Sequence, residues 1–339
     1  MIKAYNFQYK IHEINTDKLK KQFNIDKLIF RPTTISFNLD NVPDAISNGI
    51  RRTLVDEVKS CALEMMDLVS NDETNCPYDF IKMRIEFIPL CQDIGVDIMS
   101  KVFYSLDVHN KNSFPIKVYV GDLQSNHKVK PLFNPTAIIC TLDPQCFIKI
   151  DKIIIKEGIG RFDSKYNAMM CVSSVPQDLT VIPNYDGPDN GYVEKTTVID
   201  TRRFLIRGML RQCKDPKKEG KKVFCDAINN IQQRLSRVNS AINGEKSAIS
   251  FIQIKNKAII LIPRETDTIG AIINKFTFIN FDKKISIINY NISNHEDNLL
   301  TIQIEVFKKY SDEIVEMFTK SINDAITTLT SIYSQISKF

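Results

Sequence analysis

The residues able to do chemistry fall into four groups: thiols and imidazoles, a glycine pair, an arginine pair and a lysine run. Eight cysteines (Cys61, Cys76, Cys91, Cys140, Cys146, Cys171, Cys213, Cys225) and four histidines (His12, His109, His127, His295) are scattered along 339 residues. A tetrahedral metal site normally opens with two cysteines two residues apart, so that neighbouring thiolates close on one ion. No such pair is present. The thiols read as reduced, small apolar side chains, and no metal ligand is assigned.

The glycine pair lies in Lys156-Glu-Gly158-Ile-Gly160-Arg161, with Lys165 and Tyr166 behind it. A dinucleotide cradle wants a further glycine where Asp163 stands, and a helix opening directly after it. Neither condition is met, and the segment predicts a docking loop. There is also no P-loop, no carboxylate cluster on a glycine turn to hold Mg²⁺, and no Ser/His/Asp order that assembles a nucleophile. No catalytic residue and no cofactor are assigned, which argues against an enzyme. Arg51 and Arg52 read either as a solvated helix face or as guanidinium forks suited to bidentate contacts. The lysine run over 214–222, KDPKKEGKK, contains Pro216, Glu219 and Gly220, and predicts a solvated loop.

The elements that must position these groups follow from periodicity. Residues 1–27 are polar and mixed, with a short helix expected near 17–23, and read as a peripheral arm. Ile35, Phe37 and Leu39 alternate with polar residues as a strand, and Asn41, Pro43 and Asp44 then open a helix over 43–58. Its apolar positions Ile46, Ile50, Leu54 and Val58 recur every four residues. From 61 to about 183 come strand-like runs at 101–106, 116–120, 137–141 and 147–155, interrupted by a helix over 78–87. A Pro/Gly/Asn/Asp-rich stretch, 183–191, precedes a helix over 223–242 with the seam Phe224, Ile228, Ile231, Leu235, Val238 and Ile242. Asn243-Gly244 stops it, and 243–248 reads as a linker. The last segment predicts strands at 249–254 and 258–262, a helix over 267–278, strands at 285–292 and 299–307, and a closing helix over 311–338. Its seam is Val315, Phe318, Ile322, Ala325, Leu329, Ile332 and Ile336.

The two ends share one plan of strand, turn, short helix, further strands and a long closing helix. Asp44, Ile46 and Ile50 match Asp267, Ile269 and Ile273 at a constant offset of 223 residues, as a divergent duplication would leave them. Two such helices can pack on each other around a pseudo-twofold axis.

Ser47-Asn-Gly-Ile-Arg51-Arg52 resembles the first-helix motif of the α-like RNA polymerase subunits: bacterial α, archaeal D and the eukaryotic third subunit. Lys82-Met-Arg84-Ile-Glu-Phe87-Ile88-Pro89-Leu90, Phe133-Asn-Pro-Thr-Ala and the Gly158–Gly160 segment are similar to later motifs of that family, in the same order. The C-terminal part resembles archaeal L and the eukaryotic eleventh subunit, whose Thr-Leu-Gly signature stands here as Thr268-Ile269-Gly270. The resemblance spans roughly residues 28–339, and the fused arrangement is similar to the subunit of large nucleocytoplasmic DNA viruses. A residue usage rich in Ile, Asn and Lys without Trp is what AT-rich coding produces.

The resemblance implies an α+β fold in which an α-like dimerisation domain, 28–60 plus 192–243, is interrupted by an inserted mixed α/β domain, 61–191. A second, L-like dimerisation domain, 249–339, packs against the first. It implies an intramolecular interface of Ile46, Ile50, Leu54, Ile231, Leu235, Val238, Ile269, Ile273, Phe318, Ile322 and Leu329. It implies a non-catalytic assembly platform, with Asn48, Arg51, Arg52, Lys156, Gly158, Gly160, Arg161 and Lys165 as subunit contacts. Expected partners are the second-largest and largest polymerase subunits and the small zinc-binding subunits, with DNA met only through the complex and no membrane. A viral source implies a cytoplasmic viral factory and packaging in the virion. The zinc cluster of the eukaryotic subunit and the iron–sulfur insertion of some archaeal D subunits would follow Pro89-Leu90, where only Cys91 stands, so neither metal is expected. Asp267 and Ala271 replace the usual residues flanking the C-terminal signature, and the histidine expected before Lys165 is missing. The rival reading, a stand-alone nucleic-acid-binding module, wants a concentrated basic face with aromatics. Here 45 Lys and Arg are interspersed with 40 Asp and Glu for a net charge of only +5.

Overall fold

The computed structural model describes residues 2–11, 33–66, 69–70, 76–90, 96–126, 136–177, 202–210, 215–244, 248–293 and 299–339. The helix expected near 17–23, the 183–191 stretch, Phe133 to Pro135, Cys91, Cys213, His12, His127 and His295 lie outside the described residues.

The chain opens with β1 (Lys3–Ile11), β2 (Thr33–Val42) and α1 (Asp44–Asp56). Then come β3 (Lys59–Met65), β4 (Val69–Ser70), α2 (Tyr78–Glu86), α3 (Val96–Lys101), β5 (Phe103–His109), β6 (Ile116–Tyr119), β7 (Gln124–Ser125), β8 (Ile138–Leu142) and β9 (Phe147–Ile159). They are followed by β10 (Met169–Pro176), β11 (Arg202–Leu210) and α4 (Pro216–Ile242). The last run is β12 (Ser250–Ile254), β13 (Lys257–Ile262), α5 (Asp267–Phe281), β14 (Ile285–Ser293), β15 (Leu299–Val306) and α6 (Ile314–Ile336).

The duplication is visible in the topology. One four-stranded sheet runs β1-β2-β11-β10 and the other β12-β13-β15-β14. In each, two strands, a helix, two strands and a helix follow in chain order, and the last two strands swap places in the sheet. Between α1 and β10, strands β3, β4, β5, β7 and β9 form one sheet and β6 with β8 another. These make a mixed α/β module with a separate core, built from residues such as Leu63, Ile81, Ile85, Leu106 and Ile153.

Both duplicated halves share one core. α1 packs on α5 and α4 on α6, as the apolar seams predict. Ile46, Ile50, Leu54, Ile231, Leu235, Val238, Ile269, Ile273, Phe318, Ile322 and Leu329 all lie buried within a single cluster spanning both halves. Each such side chain taken out of water contributes about 1.5–3 kcal/mol. The helices cross closely at Gly49, where an added Cβ would sit 3.2 Å from Ile272 Cδ1. Gly49 and Ile272 are themselves 223 residues apart, so the pseudo-twofold axis passes between them.

Three expectations are corrected. Residues 3–11 are an edge strand of the first sheet, with Ala4 N–H donating to Gln335 Oε1 at 2.8 Å. A bulge between Tyr5 and Gln8, with Asn6 at φ 57°, breaks the alternation that would have revealed this strand. The lysine run is not a loop: α4 begins at Pro216, with Asp215 as N-cap accepting from Lys218 N–H at 3.1 Å. Finally β10, placed within the inserted 61–191 by the sequence, pairs with β11 in the first sheet, because a strand's own pattern does not say which sheet it joins.

Candidate subunit interface

The predicted contact residues gather around the C-terminal end of α1. The last carbonyls of a helix lack partners of their own. Here the turn after β9 supplies them, with Arg161 N–H donating to Asp56 O at 2.8 Å and Ala168 N–H to Val55 O at 2.9 Å. Gly160 allows that approach, since a Cβ there would lie 3.0 Å from the Asp56 Cα and 2.1 Å from Asn167 Oδ1. Gly158 lies within β9 rather than in a loop, face to face with the Tyr166 ring.

An ion network ties this turn to both halves. The Arg161 guanidinium donates to Arg264 O at 3.0 Å and reaches Glu57 at 3.7 Å. Glu57 also faces Arg234, at 3.5 Å, on α4. Arg234 Nε lies 3.0 Å from both Glu265 oxygens, Nη2 donates to the same carboxylate, and Nη2 also reaches Thr266 Oγ1 at 2.6 Å. Burial lowers the Arg234 pKa, but the Glu265 hydrogen bonds and the acids around it raise it more, so it lies above its ordinary value. Burial holds the Glu57 carboxyl above its usual range, against the pull of Arg234 and Arg161.

Lys165 sits in a second buried knot. Its ammonium lies 3.1 Å from Glu86 Oε2 and 3.2 Å from Asp163, and Glu86 also accepts from Met65 N–H at 3.2 Å. The Lys165 and Glu86 side chains are each 8% exposed. Burial alone lowers the Lys165 pKa, and the bonds to Glu86 and Asp163 raise it above its ordinary value. A docking role for its ammonium is therefore corrected: the charge is consumed inside the chain, holding α2 to the turn.

The remaining predicted contacts are more accessible. Lys156 pairs with Glu64 at 2.7 Å on the surface. Asn48 accepts from Arg51 Nε and Nη2 at 3.0 and 2.9 Å. Asn48 also lines a cleft of about 470 Å³ with Asp44, Asn274, Lys275, Phe278 and Tyr290, at the α1–α5 crossing. Arg52 pairs with Asp267 at 3.1 Å and Lys275 with Asp44 at 3.8 Å. Arg52 and Lys275, like Asp44 and Asp267, stand 223 residues apart. The two ion pairs are thus reciprocal across the pseudo-twofold axis, as in an isologous dimer.

Glu57, Arg234 and Glu265 were missed by the sequence reading. Arg234 carried a signal, because it stands between Ile231 and Leu235 on the buried seam of α4, where a charge needs a partner. Among the described residues no group of acids, cysteines and histidines could hold a metal ion, and no helix is long and apolar enough to cross a membrane.

No protein-family profile matches the chain. It is 25% identical over 342 residues, 94% of this chain and 92% of the relative, to the "DNA-directed RNA polymerase RPB3-11 homolog" of an African swine fever virus isolate. A second isolate's homolog is 26% identical over the same span. The "DNA-directed RNA polymerase subunit Rpo3" of Thermococcus kodakarensis is 30% identical over 116 residues, 33% of this chain and 44% of that protein. The chain is a fused α-like RNA polymerase subunit. The viral match crosses both duplicated halves, and the subunit's single shared core is the physical form of that fusion.

Proposed function

We propose that this subunit is the platform on which the two largest subunits of a multisubunit DNA-dependent RNA polymerase assemble, contributing no catalysis of its own. The carrying observation is the single core shared by two topologically equivalent halves, in a chain aligned along 94% of its length with the viral homolog. An elongated, internally dimeric scaffold offers different faces to different partners, and tethering makes the pairing of its halves intramolecular.

In this reading β1, β2, β10 and β11 with α1 and α4 are the D-like dimerisation domain. The module from β3 to the turn at 160–168 is inserted in it, and 249–339 is the L-like domain. The face of α1 bearing Asn48, Arg51 and Arg52 meets the second-largest subunit, and the inserted module with Lys156 and the β9 turn meets that subunit and the small zinc-binding ones. The largest subunit joins the surface so formed. DNA is met only through the complex. For a viral polymerase the place of action is the cytoplasmic factory, with packaging in the virion.

Co-expression of the chain with the two largest polymerase subunits of its own source tests this. A stable ternary complex by size-exclusion chromatography is expected, weakened by Arg52→Ala, which removes only a surface ion pair worth about 0–1 kcal/mol to the free chain. Elution of the wild-type chain alone, well folded, would overturn the reading.

A further inference from the structure

We infer that Phe162 is an aromatic anchor that enters an apolar pocket of a neighbouring polymerase subunit, and that the charged residues beside it serve to hold it out. The inference rests on the platform reading and names a contact within it. Phe162 is 82% exposed, more than any other large apolar side chain among the described residues. A single exposed phenyl ring is unremarkable on a mobile loop, where ordering it on binding would offset its burial.

This one is mounted on a braced turn. Phe162 N–H donates to Ile159 O at 3.1 Å, Arg161 N–H is bound to α1, and Tyr166 N–H donates to Asp163 O at 3.0 Å. Gly160 is pressed against Asp56 and Asn167 with no room for a Cβ. On one side the Arg161 guanidinium is committed to Arg264 O and Glu57. On the other Asp163 is committed to Lys165, which is buried against Glu86. The flanking charges are thus bound within the chain, and the ring is the group left facing outward. A preorganised aromatic with its ordering cost already met in the free protein has the character of an interface hot spot. The occupant it fits is an apolar, ring-sized pocket rather than an acidic surface, since the turn offers a partner no free cation.

The test compares wild type, Phe162→Ala, Phe162→Leu and the control Phe114→Ala, each as the full chain co-expressed with the two largest polymerase subunits. Phe114 is likewise exposed, at 61%, on a different bend of the same module. Free Phe162→Ala should unfold at the wild-type temperature yet bind roughly 10- to 100-fold more weakly. Phe162→Leu should recover part of the loss and Phe114→Ala should bind as wild type. The deficit should persist when salt is raised, because an apolar contact is not screened. If wild type captures the large subunits and Phe162→Ala captures them equally well, the anchor is refuted while the platform stands. If wild type captures neither, the platform reading itself has failed.

Discussion

Removal of the Arg234 side chain tests the ion network that joins the two halves. Arg234 and Glu265 are each 7% exposed and Glu57 is 11% exposed, so Arg234→Ala would leave two nearly buried carboxylates facing a cavity. What remains near them is Arg161, 3.7 Å from Glu57, and the largely solvated Arg237, 3.6 Å from Glu265. Stripping one partner from a buried pair costs about 3–5 kcal/mol, because the other charge stays desolvated without compensation. At roughly 2 °C per kcal/mol for a chain of this size, thermal unfolding should fall by about 6–10 °C. Arg234→Met/Glu265→Leu, which removes both charges and restores apolar volume, should recover most of that loss. Circular dichroism melts at neutral pH, in low and high salt, are the assay, and the deficit should be nearly salt-independent. A fall within about 1–2 °C of wild type, or a double variant worse than the sum of its singles, would refute the claim that this network is a buried, coupled element.

Three further outcomes are expected. Glu57→Gln should raise stability at neutral pH: its folded pKa lies above the ordinary 4.5, so the stability it contributes is present below that value and lost as pH rises through the folded pKa. The advantage of Gln should therefore vanish in melts below about pH 4.5. Lys165→Met should destabilise at pH 7 by about 3–5 kcal/mol. Because the folded Lys165 pKa is raised, its contribution is full below the ordinary 10.5 and is lost as pH rises through the folded value, so the gap to wild type should narrow at alkaline pH. Gly49→Val should cost about 1–3 kcal/mol by denaturant unfolding, since its Cβ would already sit 3.2 Å from Ile272 before the branch methyls are added.

The parts of the fold that were legible in the sequence are those whose periodicity is undisturbed. β2 alternates cleanly, with Ile35, Phe37 and Leu39 fully buried, and the seams of α4 and α6 recur every three or four residues over more than five turns. β1 was hidden because one bulged residue shifts its inward positions from Ala4 to Phe7, a spacing of three. The first turns of α4 were hidden by four exposed-type lysines and a glycine, although Asp215-Pro216 is a helix-opening pair. At the candidate interface the segment was found but the division of labour within it was not. Lys165 and Arg161 look like free cations in the sequence because their acids, Glu86 and Glu57, lie 79 and 104 residues away. The residue left outward, Phe162, was passed over because a lone phenylalanine carries no pattern.

The central claim is that this chain is the platform on which the polymerase assembles. Its most direct test is promoter-independent RNA synthesis by the co-expressed polymerase subunits of the same source, with and without this chain. RNA synthesis and a stable association of the two largest subunits only when the chain is included is the predicted result. Equal assembly and equal RNA synthesis in its absence would contradict the account.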